Sequence, residues 1–303
     1  MRFLYSRQLE HFLAACETLS LRGAAERCNV SQPALTKSIQ RLEEVLSLTL
    51  FQRHANGVVP TPAAEIVRRH GRLIVDNCRH IEMEIAMLLG GQAGTLHIGS
   101  GNAWSVTRMP GLIAELHLRY PKLEITVEDG LGEQLVLRLL EGKLDVVVGR
   151  MPTEELPEGY SAVELPSAET AVFVRKGHPL SQRTVAVGEL ESWDFIGFTG
   201  DELGRSQREQ YFRGLGLKPP RMILKSSALE TMLTVVAKSD NLALLSDMFE
   251  QRAGIAGLQR VQLDRPLWGV DLGICFHRQS LELAPFRTLL ELVRNAAAPE
   301  ASP

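Results

Sequence analysis

For 28 residues, 62–89, nothing interrupts a helical pattern in this 303-residue chain. Pro62 suits the first turn of a helix, and the first break is the run Gly-Gly-Gln-Ala-Gly at 90–94, which no helix should cross. At 1.5 Å per residue such a helix spans about 42 Å, too long to bury itself against one small domain. It therefore divides the chain into two bodies, and 90–94 reads as a hinge. Along it Val67, Gly71, Ile74, Cys78, Ile81, Ile85 and Leu88 alternate at spacings of four and three, a seam three heptads long. Such a seam packs either on the chain's own domain or on the same helix of a second copy, and the second copy is the better reading.

Beyond the hinge the pattern changes. Short β-rich runs ("LHIGS", "LEITVED", "LDVVVGR", "TAVFVRK", "DFIGF", "MILKSS", "NLALLS", "VDLGICF") alternate with helical stretches, and an amphipathic helix closes the region from Ala284 to Ala297. Strands alternating with helices predict βαβ units and parallel sheets. Residues 298–303 read as a frayed tail.

Ahead of the long helix, residues 1–61 read as short helices and a turn-rich piece. Leu9, Phe12, Leu13 and Cys16 share one face of a first helix. Ser20 caps a second containing Ala24, Ala25 and Cys28, small enough to let a neighbour approach. Ser31 caps a third, from about Gln32 to Leu46, with Pro33 in its first turn. Leu35, Ile39, Leu42 and Leu46 make its expected buried stripe, while Pro33, Thr36, Lys37 and Gln40 project opposite and Gln32 stands at the tip. That polar face is either simply solvated or laid in a DNA major groove, where Gln pairs with adenine, the Thr methyl meets thymine and Lys reaches guanine or phosphate. Two helices joined by a tight turn, the second with such a face, form a helix-turn-helix. In "LFQRHANGVVPTPA", Leu50 and Phe51 anchor a hairpin turning around Asn56-Gly57. A hairpin there is a wing, and Arg53 at its base is placed for a phosphate.

The stretch "LRGAAERCNVSQPALTKSIQRLEEVLSLTLFQRH" resembles the N-terminal domain of LysR-type transcriptional regulators: Ala-Ala, Ser-Gln-Pro-Ala, Ile-x-x-Leu-Glu and Leu-Phe-x-Arg stand in register over more than thirty residues. Cys28 replaces the usual Leu, Thr36 the usual Ser, and Ser47 the usual Gly at a helix end. The resemblance implies an N-terminal all-α winged helix-turn-helix (1–61), a linker helix (62–89) and a C-terminal α/β effector domain (95–297) of two lobes, like periplasmic binding proteins. Lobe one would be 95–167 with 268–297, and lobe two 168–267. It also implies dimers paired through the linker helix, assembling as dimers of dimers, and binding of double-stranded DNA with two-fold symmetry. RNA polymerase is a further implied partner. DNA contacts are expected from Ser31, Gln32, Pro33, Thr36, Lys37, Gln40 and Arg53.

Ligand contacts gather where strands run into helices, because exposed N–H groups there attract anions. One such place is Ser100, Gly101 and Asn102, where the resemblance puts an inducer loop; the plain alternative is an ordinary turn and cap. Arg150 follows a buried strand and either clamps the carboxylate or sulfonate of an effector or pairs with a nearby Glu and holds the hinge. Thr199, Ser226 and Ser227 stand at comparable places in lobe two, with helix capping as their alternative. Glu133 and Asp201-Glu202 read as solvated or capping.

The remaining features exclude other classes. Residues 1–90 carry 11 basic against 9 acidic side chains and the other 213 carry 22 against 27, too mild a difference for charge alone to indicate nucleic acid. No run approaches the roughly 18 apolar residues of a membrane helix, and the N-terminus lacks a signal-peptide core, so no membrane association and a cytoplasmic location are expected. Cys16, Cys28, Cys78 and Cys275 are scattered, as buried thiols would be, with a redox pair as the alternative. His70, His80, His97 and His117 lack metal-ligand spacing, and no catalytic or phosphate-cradling motif occurs, so no metal, cofactor or catalytic residue is expected. A ligand-gated regulator is the reading; its rivals are an enzyme with an appended DNA-binding domain and an architectural DNA binder without effector.

Overall fold

The computed structural model describes residues 5–54, 57–88 and 94–298. Three helices open it, α1 (Arg7–Thr18), α2 (Leu21–Cys28) and α3 (Gln32–Leu46). Each starts at a serine, Ser6, Ser20 and Ser31, whose hydroxyl accepts from the N–H three residues on. Each ends on a left-handed non-glycine residue, Leu19, Asn29 or Ser47. At Ser47 this conformation costs about 1 kcal/mol relative to glycine; the Ser47 and Leu48 N–H groups still close the helix onto Glu44 and Glu43. Phe12, Ala15, Ala24, Leu35 and Leu50 are fully enclosed. Leu46, expected in the buried stripe, is exposed, because the last turn of α3 runs beyond a core that takes only Leu35, Ile39 and half-buried Leu42 from this helix.

The hairpin pairs β1 (Phe51–His54) with β2 (Gly57–Pro60), with His54 opposite Gly57. Gly57 opens the second strand; residues 55–56, Asn56 of the expected turn among them, lie outside the described residues. Gly57 is needed for another reason. Its φ is +142°, and an added Cβ would stand 2.5 Å from the Leu19 carbonyl oxygen, which accepts from Val58 N–H at 3.0 Å. The wing is thus docked on the end of α1. Glu43 on α3 holds its other strand, accepting from Leu50 N–H at 2.7 Å and Phe51 N–H at 3.3 Å.

The long helix α4 runs Pro62–Leu88, and residue 89 lies outside the described residues. Its seam divides. Val67 packs on the N-terminal core, and Gly71 lies against Leu9, so close that a Cβ would be 2.6 Å from its Cδ1. Nearby Glu17 of α1 binds both Arg27 and Arg72. The first turns are therefore spent on the chain's own domain, whereas Ile74 and Ile81 remain 49% and 45% exposed. The Leu88 side chain and residues 90–93 of the hinge lie outside the described residues.

The rest builds on β3 (Gly94–Gly101), α5 (Asn102–Thr107), α6 (Met109–Arg119), β4 (Leu123–Gly130), α7 (Gly132–Leu140), β5 (Val146–Arg150) and β6 (Tyr160–Arg175). There follow β7 (Asp194–Phe198), α8 (Glu202–Gly214), β8 (Arg221–Ser226), α9 (Leu229–Ala237), β9 (Leu242–Ser246), α10 (Glu250–Ile255), β10 (Leu258–Arg260), β11 (Gly269–His277) and α11 (Ala284–Ala297). Among the described residues the strands form one sheet in the order β4-β3-β5-β11-β6-β9-β7-β8, with β10 on β6. It is mixed, not parallel as expected. β3 pairs in parallel with β4 and β5, and β7 with β8 and β9, but β6 and β11 run antiparallel to their neighbours. The reason is that β6 is shared: its first part pairs with β11 and its end with β9 and β10. Its first ten residues, 160–169, extend the strand well ahead of the expected start at Thr170. Among the described residues no helix is long and apolar enough to cross a membrane.

Candidate DNA-binding face and effector cleft

On α3, Ser31, Gln32, Pro33, Lys37 and Gln40 are exposed and Thr36 is half-buried. They form one contiguous face, held from behind by Leu35 and Ile39. Ser31 has a second task, its hydroxyl accepting from Ala34 N–H at 3.4 Å. The wing strand β1 runs from the end of this helix, pinned by Glu43, so face and wing are one rigid unit. The Arg53 side chain lies outside the described residues.

A cleft of about 150 Å³ opens where the C-terminal ends of β3, β4, β5, β7 and β9 converge. That is the volume of a cavity that holds one six-membered ring. Gly101, Asn102 and Arg150 line it. Gly132, the first residue of α7, presses on Arg150; a Cβ there would be 2.8 Å from the Arg150 carbonyl oxygen. The walls are aromatic, with Trp104, Phe198, Phe249 and Trp268.

The other expected contacts fall elsewhere. Ser100 is fully buried in β3 and does not line the cleft. Thr199 and Ser227 are exposed, and Ser226 turns its hydroxyl to the Ala228 N–H at 3.0 Å. Thr199 N–H donates to the Ser226 carbonyl, extending the β7–β8 pairing by one residue. Ala228, and not Ser227, precedes α9.

Arg150 spans the cleft. Its Nη1 lies 3.0 Å from Asp201 Oδ1, and both side chains are about three-quarters buried. The same oxygen accepts from Gly204 N–H at 2.9 Å, so Asp201 caps α8 while it pairs with Arg150. Sequence reading passed over two residues of α8 on this wall, Arg205 and Arg208. Arg205 is committed to Glu202 at 2.6 Å. The spacing from Asp201 through Gly204 and Arg205 to Arg208 places all four on one helix face, a signal hidden in the charge-rich "ELGRSQREQYFRG".

Two thiols are inert by environment. Burial pushes Cys16 up to about 12 and Cys275 up to about 11, so neither presents a thiolate near neutral pH.

Residues 6–65 match the model of the bacterial regulatory helix-turn-helix protein, lysR family, and 89–298 match that of the LysR substrate binding domain. The chain belongs to the LysR family. It is a helix-turn-helix transcriptional regulator with an effector-binding domain, not an enzyme. Over 247 residues it is 32% identical to the HTH-type transcriptional regulator GbpR of Azospirillum brasilense, spanning 81% of this chain and 72% of that one. It is 29% identical over 247 residues to the DNA-binding transcriptional dual regulator OxyR of Escherichia coli K12, spanning 79% and 78%. Among solved structures, a full-length OxyR mutant from Pseudomonas aeruginosa superposes with a TM-score of 0.69 at 21% identity, over 95% of this chain and 96% of that one. The LysR-family regulator CbnR, solved with its target DNA, superposes at 0.60 and 19% identity, over 96% and 99%. At those identities the likeness is one of fold.

Proposed function

We propose that this LysR-family regulator binds a two-fold symmetric promoter site as a dimer joined through α4, and that a small anionic effector in the cleft changes how it engages DNA. Ser31, Gln32, Pro33, Thr36, Lys37 and Gln40 meet the major groove, and Arg53 of the wing meets phosphate. Two α3 helices held about 34 Å apart read successive turns of the duplex. Ile74 and Ile81 supply the paired face of α4, dimers associate further as tetramers, and RNA polymerase is engaged at the promoter. The site of action is the cytoplasm. CbnR, which shares the fold, has been solved on DNA, and this supports the same use of α3 here.

The effector domain divides into lobe one (95–167 with 268–297) and lobe two (168–267), with the hinge to α4 at 90–94. The observation that carries the effector reading is the Arg150–Asp201 pair bridging the cleft beside Gly101 and Asn102. An anion entering the cleft beside the Arg150 guanidinium weakens its hold on Asp201 and so alters what holds the two walls together. Ser100, Thr199, Ser226 and Ser227 then act at the margins of the site by shaping the loops around it. A ligand that prefers one arrangement of the lobes by about 1–3 kcal/mol suffices to shift the subunits on DNA.

The test is fluorescence anisotropy with a duplex taken from immediately upstream of the protein's own gene, beside a scrambled duplex, over a salt series. A preference above about 10³ with a steep negative salt slope is expected of a specific regulator. Equal binding to both duplexes counts against specific recognition by α3.

A further inference from the structure

Arg208 differs from the other arginine on α8 that lines the cleft. Arg205 is paired with Glu202, and across the cleft Arg150 is paired with Asp201. Lys225, the remaining cation of the lining, is exposed to solvent. Arg208 is half-buried, and among the described residues no carboxylate lies within ion-pair distance and its buried Nε–H donates to nothing. Burial pushes its pKa below the usual value, with Glu209 and Asp201 opposing from a distance. A guanidinium does not give up its proton in a protein, so an orphaned, dehydrated one is costly until an acceptor arrives. A second orphan lies on the opposite wall. Trp104 is 2% exposed, its indole N–H donates to nothing among the described residues, and Arg108 stacks on its ring at 5.7 Å. Phe198, Phe249 and Trp268 line the same ring-sized volume as these two donors.

Resting on the effector reading of the cleft, we infer that its ligand is a ring-bearing monocarboxylic acid, anchored at the carboxylate by Arg208 and offering a second oxygen to Trp104 Nε1. The charge count selects a single negative charge. Of the four cations that line the cleft, Arg150 and Arg205 are neutralised by Asp201 and Glu202 and Lys225 stands in solvent, so the half-buried Arg208 leaves one sheltered positive charge for the ligand. The aromatic walls and small volume select a flat ring over an extended chain. Arg208 is a binding residue that acts independently of the Arg150–Asp201 pair, because its partner is the ligand itself.

The experiment is isothermal titration of the full-length protein with 4-hydroxybenzoate and with 4-hydroxybenzamide, which keeps the ring and hydroxyl but removes the charge. Inorganic phosphate is the dianion control, and benzoate lacks the second oxygen. The acid is expected to bind about 10–100-fold more tightly than the amide, the range of a charge-assisted pair. Arg208→Gln should bring that ratio to near one without changing amide binding, and Arg208→Lys should restore part of it. Trp104→Phe should remove the advantage of 4-hydroxybenzoate over benzoate. Equal binding of acid and amide to the unaltered protein overturns the inference, and so does a ratio that survives Arg208→Gln. Phosphate binding more tightly than the acids, or no binding by either acid, overturns it as well. If Arg208→Gln does not fold, the acid–amide comparison on the unaltered protein and Arg208→Lys decide. Failure of the regulator reading would appear separately, as loss of duplex discrimination without any acid present.

Discussion

Arg150 Nη1 and Asp201 Oδ1 meet at 3.0 Å across the effector cleft, joining the end of β5 to the mouth of α8. Each partner is anchored from behind. Gly132 closes on the Arg150 backbone, and Gly204 N–H holds the Asp201 carboxylate. The pair is therefore preorganised, and little side-chain entropy is lost in forming it. Both groups keep about a quarter of their surface in water, so a double-mutant cycle of Arg150→Ala and Asp201→Asn should give a coupling of only about 0.5–1 kcal/mol. Arg150→Ala should also weaken the anisotropy response to an anionic effector severalfold while leaving affinity for DNA alone unchanged. An unaltered response would remove Arg150 from the effector site.

The exposed face of α3 makes separable predictions. Lys37→Ala should weaken binding to all duplexes alike and lower the salt slope by about one if the ammonium meets phosphate. Gln40→Ala should cost about 1–3 kcal/mol on the operator and little on scrambled DNA if the amide reads a base. Competition anisotropy with both duplexes checks each. Two variants that both bind like the parent would leave this face as merely solvated.

Legibility from sequence followed the range of the interactions. The three N-terminal helices were readable because serine caps and the first-turn Pro33 act within three residues. The split of the α4 seam was not, since whether Val67 and Gly71 meet a partner or Leu9 depends on a fold that brings residues about sixty positions apart together. The early part of β6 was hidden by Pro166 and an alternating, half-exposed pattern, and it becomes a strand only by pairing with β11, a hundred residues later. That Gly101, Asn102 and Arg150 stand at strand ends, where they line the cleft, is legible from the β-rich runs, whereas Arg208 is lost among the charges of α8. Its distinction is the absence of a partner, which only tertiary structure reveals.

Ile74 and Ile81 keep nearly half their surface on α4 one heptad apart, next to a turn already packed on its own domain. A second α4 is the natural cover. Ile81→Glu places a charge in that seam and should shift the protein to monomers in sedimentation velocity, with the far-ultraviolet circular dichroism retained. Its operator affinity should then fall steeply, because one α3 reads half a site. An unchanged sedimentation coefficient would place the dimer contact elsewhere.

Gly57 tests the wing. Any side chain there meets both an unfavourable φ of +142° and the Leu19 carbonyl oxygen at 2.5 Å. Backbone cannot step aside as a flexible side chain can, so Gly57→Ala should destabilise the N-terminal domain by about 1–3 kcal/mol. Denaturant unfolding would show it. If the midpoint stays constant, the wing is not docked on α1 as described.

His178 gives the effector-binding domain a built-in acid sensitivity. It is 2% exposed and packs on Trp193 with ring centroids 4.5 Å apart. Its Nδ1 accepts from Leu180 N–H at 3.1 Å, which leaves Nε2 as the protonated nitrogen facing the Asp240 carbonyl oxygen at 3.2 Å. Adding a proton to Nδ1 would set two donors against each other. Burial accordingly lowers the pKa below 6.5, with the Asp240 backbone and carboxylate opposing and Arg175 assisting. Above 6.5 the imidazole is neutral whether the chain is folded or not, and it adds no pH dependence. As the pH falls through 6.5 the unfolded chain takes up the proton that the folded one resists, so stability declines until the folded pKa is passed. His178→Asn keeps an acceptor for Leu180 N–H but cannot be protonated. Between pH 7.5 and pH 5 its melting temperature should therefore fall less than that of the parent, with His11, lowered by burial in the same direction, contributing equally to both. Parallel melting curves for the two proteins would show that His178 accepts its proton in the folded state without cost.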